Sequence, residues 1–200
     1  SRCAAIFFVA VALLASVDAG RLAGAPADAL DRPVSLAVSR LGEVYVGFWT
    51  DMRTGYVRRF DVAGNVLAGW SVASPPVLAE SEEGGVYAAL ADGDVVRHYS
   101  QDGADVGHWD VDGLEEAIAT TPNGESLSSL VWVLADPPGP GDREVRRFGP
   151  SGSPQDAWAV DRTVSDLAVS ADASPREAVV AVIEPAQAIQ NQVWWSWLLA

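Results

Sequence analysis

Any chemistry this 200-residue chain performs must come from a short inventory: two histidines, one cysteine, 27 acidic residues and 13 arginines, with no lysine. His98 and His108 lack the close partner spacing used by zinc sites or by nucleophile and base pairs, so both read as structural. Cys3 sits in an apolar run with no histidine nearby, which supports neither a redox motif nor a thiolate nucleophile. The aspartates gather as Asp92–Asp94, Asp102 with Asp105, and Asp110–Gly113. The last group opens like a calcium loop, whose hard cation wants oxygen ligands at alternate positions. Leu114, Glu115 and Glu116 break that alternation, and Asp-Gly pairs are ordinary tight-turn chemistry, so turns are preferred and calcium is the lesser alternative. No catalytic residue, cofactor or metal site is expected. A net charge of −14 repels phosphate backbones, so nucleic acid is not an expected partner.

What would position these groups is a repeat. Val57–Val72, Val96–Val111 and Val145–Val160 share Val, Arg, Arg or His, an aromatic, then Gly and Trp in fixed register. Its recurring letters are Arg58, Gly64 and Trp70; Arg97, Gly103 and Trp109; Arg146, Gly152 and Trp158. The glycine returns after 39 and then 49 residues. Before each copy lies a segment alternating apolar and polar residues around a turn, as two strands should. Each unit therefore holds four short strands, A to D. Four antiparallel strands repeating every 40 to 50 residues or so predict an all-β fold, a β-propeller of four-stranded blades. Three blades are complete and a fourth, from residue 161, is partial. The extra residues of the third repeat are assigned to connections between strands.

An opening strand like Leu36–Ser39, a glycine turn, then Val44–Val46, the arginine segment and a closing tryptophan resemble the NHL-type and related six-bladed propeller repeats. The chain departs from that pattern at Ser39, Glu80, Thr120 and Ser170, where NHL repeats carry an Asp. Propeller enzymes of lyase or lactonase type place metal ligands on the inner strands. Here both histidines fall on strands C and D. The recurring arginines are expected to lie along a sheet face with the head on a neighbouring acid, a basic stripe being the sharper alternative. The recurring tryptophans should fill the joints between blades.

Functional weight falls on what does not repeat. Trp49, Asp51 and Arg53, and then Asp136, Pro137, Pro138, Pro140 and Asp142, are read as long B-to-C loops suited to contacting a partner. Trp194, Trp195 and Trp197 form a second aromatic cluster, either packed within the fourth blade or placed at a membrane interface. At the other end, Cys3–Val17 is uncharged and mostly apolar, with Ile6, Phe7, Phe8, Val9, Val11, Leu13 and Leu14 as its bulk. As a helix it would run roughly 22 Å, short of a bilayer core. Residues 1–19 are read as a retained signal anchor or a cleaved signal peptide, and residues 20–33 as a linker. Blades follow at about 34–72, 73–111, 112–160 and 161–200. The whole predicts a membrane-tethered, extracytoplasmic propeller that binds other protein subunits, plausible in a larger membrane complex. A secreted propeller enzyme and a sugar- or peptide-binding module are the alternatives.

Overall fold

The computed structural model describes residues 32–50, 54–123, 126–137, 143–161, 164, 166–169 and 180–182. Among them every extended element is a β-strand, and the one helical segment is a 3₁₀ turn at Ala91–Gly93. The first sheet is β1 (Arg32–Val38), β2 (Val44–Trp49), β3 (Gly55–Phe60) and β4 (Val66–Val72), paired in that order. The second is β5 (Val77–Glu80), β6 (Gly85–Leu90), β7 (Val95–Ser100) and β8 (Asp105–Asp110). The third is β9 (Leu114–Asn123), β10 (Ser126–Ala135), β11 (Arg143–Phe148) and β12 (Pro154–Val160). β13 (Leu167–Val169) and β14 (Val180–Val182) pair as a further hairpin. All pairings are antiparallel, so each unit is an up-and-down meander, as the repeat predicts.

The sheets stack face to face, and apolar side chains fill each joint. Tyr45, Val57 and Val72 of the first sheet meet Leu78, Val86, Ala88 and Leu90 of the second. Tyr87, Ala89 and Val96 of the second meet Ile118, Val131, Val133 and Phe148 of the third. Trp132, Leu134 and Val145 of the third meet Val164 and Leu167. Strands β1, β5, β9 and β13 adjoin one another in turn, which makes them the inner row of the stack. β2 and β6 are buried almost throughout, whereas β4, β8 and β12 alternate exposed with half-buried positions. A strand flanked on both sides and covered on both faces can carry a continuous apolar run, while an outer one faces water.

Three expectations are corrected. β1 begins at Arg32, inside the stretch read as a linker, and Pro33 pairs with Phe48. Proline is tolerated there because β1 is an edge strand with ladder partners on one side only. Trp49 is the last residue of β2, paired with Arg32 and Gly55, and not a loop residue. Finally, the insertion between strands A and B of the third unit lengthens the strands themselves, β9 and β10 having 10 residues each against 4 and 6 in β5 and β6. Extending the ladder gives the added backbone N–H and C=O groups partners that an irregular loop would lack.

Candidate functional site

The joints come first, because they hold everything else in place. Trp70 on β4 packs edge-on to Tyr45 of its own sheet and tilted against Tyr99 of the next, with ring centroids 6.4 and 5.7 Å apart. Beneath the indole lies Gly103 of the β7–β8 turn, at φ +82°, where an added Cβ would stand 2.6 Å from the ring. One joint further on, Trp109 meets Tyr87 and Phe148, both at 5.9 Å, and a Cβ on Gly152 would lie 2.5 Å from it. Trp158 closes edge-on to Trp132 at 5.3 Å. Gly64, in the corresponding turn of the first sheet, has φ +86° but nothing within 4 Å of an added Cβ. The turn glycine thus serves two demands at once, left-handed backbone and room for an indole. Tyr99 and Phe148 are the aromatic of the repeat itself, whereas Tyr45 and Tyr87 are partners that the repeat letters alone did not single out.

The recurring arginines divide. Arg97 pairs with Asp105 and Arg146 with Glu144. Arg58 instead lies over Tyr56 and Phe48, 4.8 and 5.6 Å from the ring centroids, and no ion pair to an acid is seen for it among the described residues. The aromatic faces beside β3 offer a guanidinium an attractive surface without a carboxylate.

His98, on β7, is stacked on Tyr87 at 4.4 Å and is only 7% exposed, while His108 on β8 is exposed. Burial pushes the His98 imidazole below its ordinary value, against a weaker opposing pull from Glu83 and Asp105. In the unfolded chain this group takes its proton near pH ~6.5, and in the folded one only at lower pH. The unfolded state therefore binds more protons as pH falls below about 6.5, and stability is lost in that direction. Denaturant unfolding at pH 7.5 to 5.5 or so is expected to show this decline, and His98→Gln should flatten it. An unchanged slope in the variant would show that other groups cause the decline.

Because every unit runs A to D in the same sense, all B-to-C and D-to-A connections fall on one face of the stack. On that face a cleft of about 380 Å³ opens between the first two sheets, walled by Val34, Trp49, Pro75, Pro76 and Val77, with Asp92 at its rim. The connection carrying Pro75 and Pro76 can lie against β2 and β3 only because Gly47 and Gly55 face it. An added Cβ would fall 2.9 Å from Pro76 Cγ at Gly47 and 2.6 Å from the Ser74 carbonyl at Gly55. The Ser35 hydroxyl donates to the Pro76 carbonyl and fixes the connection from the inner side. Two buried polar atoms belong to residues of this cleft, Trp49 Nε1 and Ser74 Oγ, and neither has a hydrogen-bond partner among the described residues. An orphaned buried donor is costly, and an incoming acceptor relieves it.

The same face is tied together beyond the cleft. Asp94 adopts left-handed backbone, φ 49°, rare for a residue with a side chain. Its carbonyl accepts from the Val111 amide at 2.7 Å and its carboxylate from the Leu114 amide at 2.9 Å. Asp-Gly chemistry in Asp92–Asp94 therefore shapes a connection, with Asp94 spent on backbone amides. The next link is Asp136, whose amide donates to the Gly113 carbonyl at 2.7 Å. Asp136 and Pro137 are half-buried in this belt and are thereby placed on the same face as Trp49. Asp51, Arg53, Pro138, Pro140, Asp142, Trp194, Trp195, Trp197 and the apolar run from Ile6 to Leu14 lie outside the described residues. Among the described residues no group of three or more His, Cys, Asp or Glu side chains converges as a metal site, and no helix is long and apolar enough to cross a membrane.

No protein-family model and no curated protein sequence matches the chain. Solved structures do. A catalytically inactive virginiamycin B lyase from Staphylococcus aureus with quinupristin superposes at TM-score 0.56 and 11% identity, over 88% of this chain and 58% of that one. A protein of unknown function from Bacteroides caccae gives 0.54 and 10%, over 84% and 62%. BBS1N in complex with ARL6DN gives 0.53 and 16%, over 77% and 44%. The chain spans less than two thirds of the length of each of these structures. At such identities the likeness is one of fold, and the fold is the β-propeller.

Proposed function

We propose that this chain is a protein-binding propeller module, held on the outer side of a membrane by its apolar Cys3–Val17 stretch, and that it engages a partner subunit through the face bearing Trp49. The observation that carries the reading is the Trp49 cleft itself: an indole N–H and a serine hydroxyl, buried and unsatisfied among the described residues, between apolar walls and one acid. A partner peptide supplies a carbonyl oxygen to the indole, apolar contact to Pro75, Pro76 and Val77, and a basic side chain to Asp92. Tryptophan is a frequent anchor at such interfaces, and a net charge of −14 steers a basic partner toward this surface. BBS1N, a propeller captured with ARL6DN, supports protein partners for this fold in general.

A photo-reactive amino acid placed at Asp92 in the full chain, in its native cells, is expected to trap one protein adduct reproducibly, and the adduct should disappear on Trp49→Ala. The same probe at Val66, exposed on the outer strand β4, should not trap it. Equal trapping at both positions, or an adduct indifferent to Trp49→Ala, would sink the reading.

A further inference from the structure

The blades are near copies, so each position has counterparts against which it can be judged. In the first joint, on the face opposite the Trp49 cleft, Arg59 acts as a clamp. Its Nε and Nη2 hold Glu43 at 3.0 and 2.6 Å, and Nη1 donates across the joint to the Gln101 carbonyl at 3.2 Å. In the third unit Arg147 occupies the same position, paired with Asp156 and with its guanidinium 5.3 Å from the Trp132 ring centroid. The second joint has none of this. In register, His98 stands for Arg59, Gly85 for Glu43, Gly107 for Ala68 and Pro150 for Gln101. Every one of the four changes removes bulk, charge or a donor.

The result is a cleft of about 300 Å³ lined by His98, Trp109, Val106 and Pro150, with Glu83 and His108 also on its wall. A Cβ on Gly107 would meet nothing within 4 Å. His98 is 7% exposed, and its Nε2 is buried with no hydrogen-bond partner among the described residues. Trp109 Nε1 is in the same condition. Since Trp70 and Trp158 share it, the discriminating atom is the His98 nitrogen, which stands where Arg59 is fully engaged.

We propose that this inter-blade cleft binds a small, neutral, hydroxyl-bearing ligand of the sugar or polyol class. One ligand hydroxyl accepts from Trp109 Nε1 and donates to His98 Nε2 in the Nδ1-protonated tautomer. A hydroxyl is the small group that does both. An anion is disfavoured, because Glu83 lies on the wall and the arginine found in the sister joints is absent. Val106, Pro150 and the indole give the C–H face of such a ligand an apolar bed. The cleft and the Trp49 face lie at opposite ends of the strands, so either site can stand without the other.

The probe is methyl α-glucoside, titrated into the full chain while the Trp109 indole and His98 ring signals are followed by ¹⁵N NMR. Saturable shifts of both are expected, with affinity at least about tenfold weaker in His98→Arg, which restores the residue that the other two blades accommodate. Gly107→Leu, which fills the cleft while leaving the His98 residue unaltered, should have the same effect and decides the matter if the arginine variant folds poorly. No saturable shift in the wild type, undiminished binding in a folded variant, or equal shifts on titration with acetate would overturn the proposal.

Discussion

Replacing Gly113 by alanine is expected to lower stability by about 2 to 4 kcal/mol, with two causes adding. The residue sits at φ +70°, and an added Cβ would fall 2.0 Å from the Asp136 carbonyl oxygen and 2.6 Å from its carbon. The backbone conformation alone costs a side chain about 1 kcal/mol. The contact is with backbone on both sides, so no rotamer change relieves it. The two connections must part, and the 2.7 Å bond from the Asp136 amide to the Gly113 carbonyl is lost, another ~1 to 3 kcal/mol for a partly buried pair. Denaturant midpoints give the energy, and hydrogen exchange should show faster exchange at the Asp136 and Leu114 amides before global unfolding. A loss below about 1 kcal/mol would mean that Gly113 and Asp136 are not held in contact.

Gly103→Ala should cost about 2 to 4 kcal/mol, against about 1 kcal/mol for Gly64→Ala. Both turns are left-handed, φ +82° and +86°, so the backbone penalty is common to the two. The difference is the Trp70 ring, 2.6 Å from a Cβ at Gly103 and held from both sides by Tyr45 and Tyr99, whereas Gly64 faces open space. Overpacking a joint typically costs ~1 to 3 kcal/mol. A double-mutant cycle with Trp70→Leu tests the cause, since the smaller side chain should bring the Gly103→Ala penalty down toward that of Gly64→Ala. Equal costs in the wild-type background would show that the glycine is needed for its turn alone.

Much of the fold was readable in the sequence, because strand periodicity and a seven-position repeat are local signals. The recurrence of Gly and Trp pointed to joints, although which glycine serves which tryptophan was not readable: Trp70 meets Gly103, not Gly64 of its own sheet. The Trp49 cleft was legible only at Trp49. Ser74, Pro75, Pro76 and Asp92 come from a short connection and from the second sheet, and only stacking brings them beside β2. Asp94 was legible only as part of an Asp-Gly turn, because composition cannot say that a carboxylate has backbone amides as partners. The second cleft was hidden for another reason. His98 was read in isolation as structural, and the four changes that open the cleft become one event only when the copies are superposed joint by joint.

The tryptophan-over-glycine joint has two unlike halves, an indole projecting from one sheet and a bare left-handed turn receiving it on the next. Such a coupling has polarity, like a plug and socket, so the indole side of one sheet joins the turn side of the next, and two like sides cannot join each other. Gly64 presents the receiving half with nothing in it within 4 Å of an added Cβ. Any further sheet joining on that side by the same coupling, whichever chain supplies it, must therefore arrive bearing the plug, and the direction in which the ring grows is written into each copy of the repeat.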